Sequence, residues 1–434
     1  MIKKTFITTV FVLFFFCAAM AFAGNWILDS KSGKLPADLE TLVAKAGGTL
    51  VSSLDDIGVA VAEFATREDA EAMEAYGFTV MPDVELNWLP GVENMEGSAE
   101  HIGSNESYYP YQWYLPHVGA DVAWDAGYTG EGARVAIVDT GIAYDHPDLT
   151  GNIDFAAGAT FVPGTTDFYD DSSSGHGTHV AGIVAAIDND WGTIGVAPHA
   201  TLIPVKVLAS SGSGQISWIA AGIVHAANQD VDVINLSLGG YLRKSGYPPY
   251  YTARDAQYYI DLYRKALSYA DYKGAVVIHS AGNDTHDLDH DGDIIDIPPQ
   301  ADNGTGIVVS ATGPQGLQDF DHIASYSNYG VSTIDVAAPG GDFRNYPNPG
   351  WQYDMMLSTA PSTTPGYYRW VWLAGTSQAA PVVSGVAALI VSKYGHMPPA
   401  QLSHKIIKAT DDLGKPGADP FYGKGRINAA KAVQ

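Results

Sequence analysis

The chain of 434 residues carries 48 acidic against 23 basic side chains, a formal net charge of −25, and a field of that sign excludes nucleic acid and anionic lipid as partners. Its single cysteine, Cys17, excludes a disulfide framework. At this length one large domain with a smaller companion is expected, and the acidic surplus serves solubility and offers ligands for Ca2+ outside the cell.

Lys3 and Lys4 precede an apolar run from Phe6 to Met20, and Ala21-Phe22-Ala23 follows with the small residues a signal peptidase reads. Residues 1–23 therefore read as a signal peptide cleaved before Gly24, and the mature chain as secreted, extracellular or periplasmic. The run holds Thr8 and Thr9 and falls short of the roughly 20 apolar residues a spanning helix needs, and no later stretch reaches that length, so nothing holds the mature chain in a membrane. Cys17 leaves with the signal, which removes any thiol nucleophile, and loss of Lys3 and Lys4 takes the charge from −25 to −27.

Residues 24–89 have a rhythm of their own: a strand at Trp26–Asp29, a helix from Pro36 to Ala46, a strand pair across Leu50 to Phe64, a helix from Arg67 to Tyr76 and a last strand within Val80 to Leu89. That is the split βαβ order of a small α+β, ferredoxin-like domain. Residues 90–107 lose the apolar period and gain Gly, Asn, Glu and Ser, which reads as a linker. From Tyr108 onward, strands at Arg134–Val138, Leu202–Leu208, Val231–Leu238, Ala275–His279, Gly306–Ser310 and Ile334–Ala338 alternate with helices at Thr178–Ile187, Ile216–Asn228, Asp255–Ala270 and Ser377–Tyr394. The alternation predicts an α/β domain over 108–434, three layers around a mostly parallel sheet.

Three strings in this domain carry chemistry: Val138-Asp139-Thr140-Gly141, Gly175-His176-Gly177-Thr178-His179-Val180-Ala181-Gly182 and Gly375-Thr376-Ser377-Gln378-Ala379-Ala380-Pro381. Asp139 ends an apolar strand, where open α/β sheets display functional groups. His176 lies between two glycines at a helix start, which leaves its imidazole room; His179 falls within the helix and is assigned no chemistry. Ser377 opens a helix, so its own N–H points into the positive end of the helix field, and Pro381 lies early enough to forgo a backbone donor. Acyl transfer needs a hydroxyl nucleophile, a base to move its proton, and a carboxylate to fix the base's tautomer. Ser377, His176 and Asp139 fill those roles. The residues around Ser377 are not G-x-S-x-G, which argues against an α/β-hydrolase.

In the order Asp, His, Ser, with these flanks, the strings resemble the catalytic core of the subtilisin-like serine proteases. The resemblance runs from about Gln112 to Tyr422-Gly423-Lys424-Gly425-Arg426-Ile427-Asn428. It implies a secreted, monomeric serine endopeptidase that hydrolyses proteins and peptides through an acyl-enzyme and is made as a self-processed zymogen. Residues 24–89 would be its propeptide and intramolecular inhibitor, with processing inside 90–107. Ala281-Gly282-Asn283 resembles the segment that places the oxyanion-hole asparagine, which assigns Asn283 as a donor beside the Ser377 N–H. Ser237-Leu238-Gly239-Gly240 resembles the edge that pairs with the substrate backbone. Gly239 and Gly282 would bare one pocket wall, which suits a large apolar residue before the scissile bond, while Asp284 suits a basic one.

The family's strongest calcium site also has counterparts: Asp148 and Asn189, with Gln112 and the main-chain oxygens of Ile187, Trp191 and Thr193, for a structural Ca2+. Gln378 stands where family members commonly carry an oxidisable methionine, so resistance to peroxide is expected. Asp287, Asp289, Asp291, Gly292 and Asp293 resemble half of a D-x-D-x-D-G loop, with Pro298 at the twelfth position; a second calcium site and a solvated acidic loop both fit. Two stretches exceed the family pattern. One, from Gly240 to Ala275, holds Tyr241, Tyr247, Tyr250, Tyr251, Tyr258, Tyr259 and Tyr263; the other is Asp342 to Trp372. Their rings divide between helix core and the rim of the substrate cleft. Two rivals remain, a binding module without turnover and a processing enzyme with few targets.

Overall fold

The computed structural model describes residues 24–89, 108–290, 292–302, 304–362, 364 and 366–434. The expected signal peptide, the expected linker and Asp291 of the acidic loop lie outside the described residues.

In the N-terminal unit the strands lie in the order Thr49–Leu54, Val59–Phe64, Gly24–Ser30, Phe78–Pro82, each antiparallel to its neighbour. Side chains alternate along a strand. Trp26 and Leu28 therefore pack with Leu39, Val43 and Ala70 of the unit's own helices, Leu39–Lys45 and Arg67–Glu71. Ile27, Val59 and Met81 point the other way and join a core shared with Tyr259 and Tyr263 of the large domain. Both faces of this small sheet are thus covered. Arg67 to Asp255 at 2.8 Å and Arg254 to Glu74 at 3.0 Å add ion pairs along the same seam.

The large domain is built on nine strands, running from edge to edge as Thr410–Asp411, Arg426–Ile427, Val336–Pro339, Ile307–Thr312, Val276–Ser280, Val233–Leu236, Arg134–Asp139, Thr201–Lys206, Ala159–Thr160. All pair in parallel except the first two. A parallel sheet is covered on both faces, so its strands read as near-continuous apolar runs; five of the six residues in Arg134–Asp139 are buried. Val135 and Ile137 pack with Val180, Ile183, Val383 and Val386 on one face. Ala136 and Val138 pack with Ile219, Ile223, Ile260 and Tyr263 on the other. Helices His176–Ala185 and Thr376–Tyr394 form the first outer layer, and Ile216–Ala227 and Ala253–Lys273 the second.

The helix expected over Asp255–Ala270 begins at Ala253 because Thr252 caps it: Thr252 Oγ1 accepts from the Asp255 N–H at 3.2 Å, and the Asp255 carboxylate accepts from the Thr252 N–H at 2.7 Å. The antiparallel pair Met356–Ala360 and Arg369–Leu373 and the helix Pro399–Lys408 complete the domain. Among the described residues no helix is long and apolar enough to cross a membrane.

Candidate active site

Asp139 sits at the last position of its strand, fully buried. Its two carboxylate oxygens lie 2.8 and 2.9 Å from His176 Nδ1, and one also accepts from the Thr140 N–H at 2.7 Å. A carboxylate so placed holds the His176 proton on Nδ1 and leaves Nε2 as the basic nitrogen. Nε2 is buried and has no hydrogen-bond partner among the described residues. The helix that carries His176 is tied to the Asp139 turn, since Thr140 Oγ1 accepts from the Gly177 N–H at 2.9 Å.

Asp170, which sequence reasoning passed over, accepts from the N–H and hydroxyl of Thr178 at 3.0 and 2.7 Å and so fixes the first turn of the same helix. Burial raises its carboxyl above the usual range. No motif marked it. His179 is structural, as expected: Nε2 lies 3.1 Å from the carbonyls of Met356 and Val371, and burial lowers its basicity to about 3.

Ser377 occupies the second residue of the helix Thr376–Tyr394 and is nearly buried. Proline four residues on has no N–H, so the Ser377 carbonyl loses its helical partner. Ser237 Oγ donates to it instead, at 2.8 Å, and Ser377 Oγ donates back to the Ser237 carbonyl at 3.2 Å. Asn235 Nδ2 donates to Ser237 Oγ, and Ser384 Oγ to Asn235 Oδ1, so a buried polar string backs the serine. Asn283 Oδ1 accepts from the N–H and hydroxyl of Thr376, both at 2.9 Å. With Oδ1 thus occupied, Nδ2 is the other end, and it and the Ser377 backbone nitrogen lie 3.4 and 3.6 Å from the place a Cβ on Gly375 would take.

The turn bearing Asn283 hangs on Asn328, a second residue without a sequence signal. Asn328 Oδ1 accepts from the N–H groups of Asp284 and His286, both at 2.9 Å, and its Nδ2 donates to the Ala281 carbonyl at 3.0 Å. Gly282 adopts φ 101°, and a Cβ there would collide with Asn328 Nδ2, so only glycine passes between them.

Beside Ser377 lies a pocket lined by Gly239, Gly282, Asn283 and Thr376 among others. The carboxylate in its wall belongs to Asp296, not to Asp284, which the lining omits. The Asp284 backbone N–H is held by Asn328, and burial raises its carboxyl. Leu238 is instead packed into the core. Of the tyrosines, Tyr241 lines the cavity, Tyr259 and Tyr263 are core, and Tyr247 and Tyr250 stack on each other at the surface, ring centroids 5.4 Å apart.

The end of the N-terminal unit lies in this cleft. Glu85–Asn87 pairs antiparallel with Ser213–Gln215. The Trp88 N–H donates to the Gly212 carbonyl at 3.1 Å, and the Gly239 N–H donates to the Trp88 carbonyl at 2.9 Å. The indole is fully buried, with Nε1 donating to the Gly214 carbonyl at 2.7 Å.

For the calcium ligands, the structure brings Gln112, Asp148 and the 187–194 loop together. Asp148 Oδ2 accepts from the N–H and hydroxyl of Thr193 and from Trp370 Nε1 at 2.8, 3.1 and 2.9 Å. Oδ1 is buried without a partner among the described residues, and burial pushes the carboxyl up to about 6. An orphaned carboxylate oxygen fits a hard cation. Gln112 Oε1 accepts from the Ile194 N–H at 3.0 Å, and Asn189 Oδ1 from the Trp191 N–H at 3.0 Å. No group of three or more His, Cys, Asp or Glu suited to a metal occurs among the described residues. In the acidic loop Asp289 is taken up by Ser332 and Thr333, and Asp293 by Ser245. Those two acids thus point at separate partners.

The family model of the subtilase family matches residues 130–425. Subtilisin NAT of Bacillus subtilis subsp. natto is 37% identical over 350 residues, covering 81% of this chain and 77% of its own. Thermitase of Thermoactinomyces vulgaris is 36% identical over 337 residues, 76% and 99% of the two chains. The crystal structure of the epidermin leader peptide processing serine protease of Staphylococcus aureus superposes with a TM-score of 0.77 at 27% identity, over 94% of this chain and 97% of that one. A lanthipeptide protease structure gives a TM-score of 0.65 at 28% identity, over 76% and 99%. With the family model over most of the chain and relatives at 37% and 36% identity, the chain belongs to the subtilase family of serine endopeptidases.

Proposed function

We propose that the chain is a secreted, monomeric, self-processing endopeptidase with Ser377 as nucleophile, His176 as base, Asp139 as the orienting carboxylate, and Asn283 Nδ2 and the Ser377 N–H as oxyanion donors. The observation that carries the assignment is the fully buried pair of Asp139 with His176 Nδ1 at 2.8 Å, its Nε2 left without a partner among the described residues. Ser377 Oγ turns from the Ser237 carbonyl to Nε2 and attacks the scissile carbonyl carbon as its proton passes to His176. The carbonyl oxygen takes the charge and is met by the two donors. Collapse breaks the C–N bond, His176 returns the proton to the leaving amine, and water repeats the sequence to release the acid. Alignment tightens when substrate binds, so a resting serine turned to another acceptor is compatible with this role.

Residues 24–89 act as propeptide: the segment through Trp88, bonded on both sides to the cleft edges, lies where a substrate backbone would pair. Cutting within 90–107 frees it. Ca2+ is held by Gln112, Asp148, Asn189 and the carbonyls of Ile187, Trp191 and Thr193. Intact mass after incubation with calcium tests the core of this reading. Wild type shortened within residues 90–107 while Ser377→Ala stays long is the expected result; equal shortening of both refutes self-cleavage by this serine. A second reading, a processing enzyme with few targets, draws on the likeness to a leader peptide processing protease along nearly the whole chain. A peptide-library cleavage profile separates the two, a narrow motif marking the specialist.

A further inference from the structure

Gln378 follows the nucleophile, is fully buried, and has no hydrogen-bond partner for either Oε1 or Nε2 among the described residues. Buried carboxamides are normally bonded, so the partner is to be sought in what enters the cleft. Gly375 shows where the carboxamide points. Its backbone is extended, φ 167°, open to any residue, so the absence of a side chain there is a matter of space. A Cβ on Gly375 would stand 2.9 Å from Gln378 Oε1, 3.4 Å from Asn283 Nδ2 and 3.6 Å from the Ser377 backbone nitrogen. The carboxamide of Gln378 therefore borders the same small space as the two oxyanion donors.

Which end of a carboxamide carries the NH2 is fixed by its hydrogen bonds. Asn283 has them, through Thr376. Gln378 does not, so a half turn about its last torsion brings Nε2 to the place of Oε1 at the expense of no bond.

We propose that Gln378 is a third oxyanion donor, its Nε2 donating to the substrate carbonyl oxygen as that oxygen gains charge, beside Asn283 Nδ2 and the Ser377 N–H. The inference rests on the roles given above to Ser377 and Asn283. A donor already stripped of water reorganises little as charge develops, and one satisfied only in the transition state raises kcat and leaves KM in place. A thioether at this position has no hydrogen to give.

The test uses the full-length chain as wild type, Gln378→Met, Gln378→Glu and Asn283→Ala, with rates normalised to serine labelled by a fluorophosphonate. Each is assayed on a chromogenic peptide and for affinity towards a peptide boronic acid, which forms a tetrahedral adduct, against a product-like peptide carboxylate. Gln378→Met is expected to lower kcat and boronate affinity together by about tenfold, with KM and product affinity within about twofold. Gln378→Glu should fall further, because its carboxylate repels the oxyanion. Should Gln378→Met not fold, Gln378→Leu replaces it. Unchanged kcat in Gln378→Met, or a fall in kcat without a matching loss of boronate affinity, overturns the proposal while an Asn283→Ala loss of about 100-fold or more keeps the donor assignment standing. An unaffected Asn283→Ala would overturn that earlier assignment instead.

Discussion

Asp296 gives the pocket beside Ser377 its electrical sign. The residue is 3% exposed, and its carboxylate lies 3.3 Å from Asn328 Nδ2 and 3.3 Å from His286 Nδ1. The remaining wall is mostly glycine, alanine and uncharged side chains. Such a wall accepts an apolar residue by burial alone, whereas a carboxylate within it rewards Lys or Arg with a charge-assisted bond in a desolvated setting. The expected preference before the scissile bond is therefore basic. Asp296→Asn should reduce kcat/KM for Lys and Arg peptides by about tenfold or more while Leu and Phe peptides change little; an unaltered ratio between the two classes would show that Asp296 does not read the substrate.

At the scale of elements, one buried carboxylate at a helix start makes the contact between the N-terminal unit and the large domain sensitive to pH. Asp83 accepts from the Ser217 N–H at 3.1 Å and from its hydroxyl at 2.6 Å, in the first turn of Ile216–Ala227. Burial pushes its carboxyl up to about 6, against about 4 when exposed. The docked form thus holds a proton that the undocked form has released between those values, and docking weakens as pH rises from about 4 to about 6. With Ser377→Ala and the linker cut by an added protease, the fraction of N-terminal unit still bound should fall across that window, and Asp83→Asn should flatten the dependence. These elements also show what a sequence makes legible. Buried strands read as apolar runs, so six of the nine sheet strands, the four helices of the outer layers and the three motif strings were visible, while the two-residue strands Ala159–Thr160, Thr410–Asp411 and Arg426–Ile427 and the Thr252 cap were not. Asp83, Asn328 and Asp296 were not, because they act on residues distant in the chain through bonds that leave no local spacing, and Asp170 was not because its bonds to Thr178 span a loop with no motif. Trp88 sits just ahead of a linker, where an isolated aromatic carries no period to be read.

Over the whole molecule the surplus of acid is a standing cost, since a net charge of −25 repels itself in the compact state. A cation held between distant segments offsets part of that cost where it is most local. Asp148 is the natural seat: its Oδ1 is buried without a partner among the described residues, and the residues about it tie the start of the large domain, through Gln112, to the 187–194 loop. A ligand that binds only the folded form stabilises it by about 2.7 kcal/mol at a hundredfold excess over its dissociation constant. For a domain of this size that corresponds to a rise in thermal midpoint of roughly 5 °C. Adding millimolar Ca2+ to the Ser377→Ala chain should produce such a rise, a chelator should reverse it, and Asp148→Asn should abolish it. Sodium chloride at matched ionic strength separates site binding from screening, because screening lowers repulsion everywhere and would act equally on Asp148→Asn. If salt reproduces the calcium effect in both proteins, the acids are merely solvated; if only Ca2+ acts, and only with Asp148 intact, one bound ion joins the beginning of the domain to the loop behind the catalytic helix.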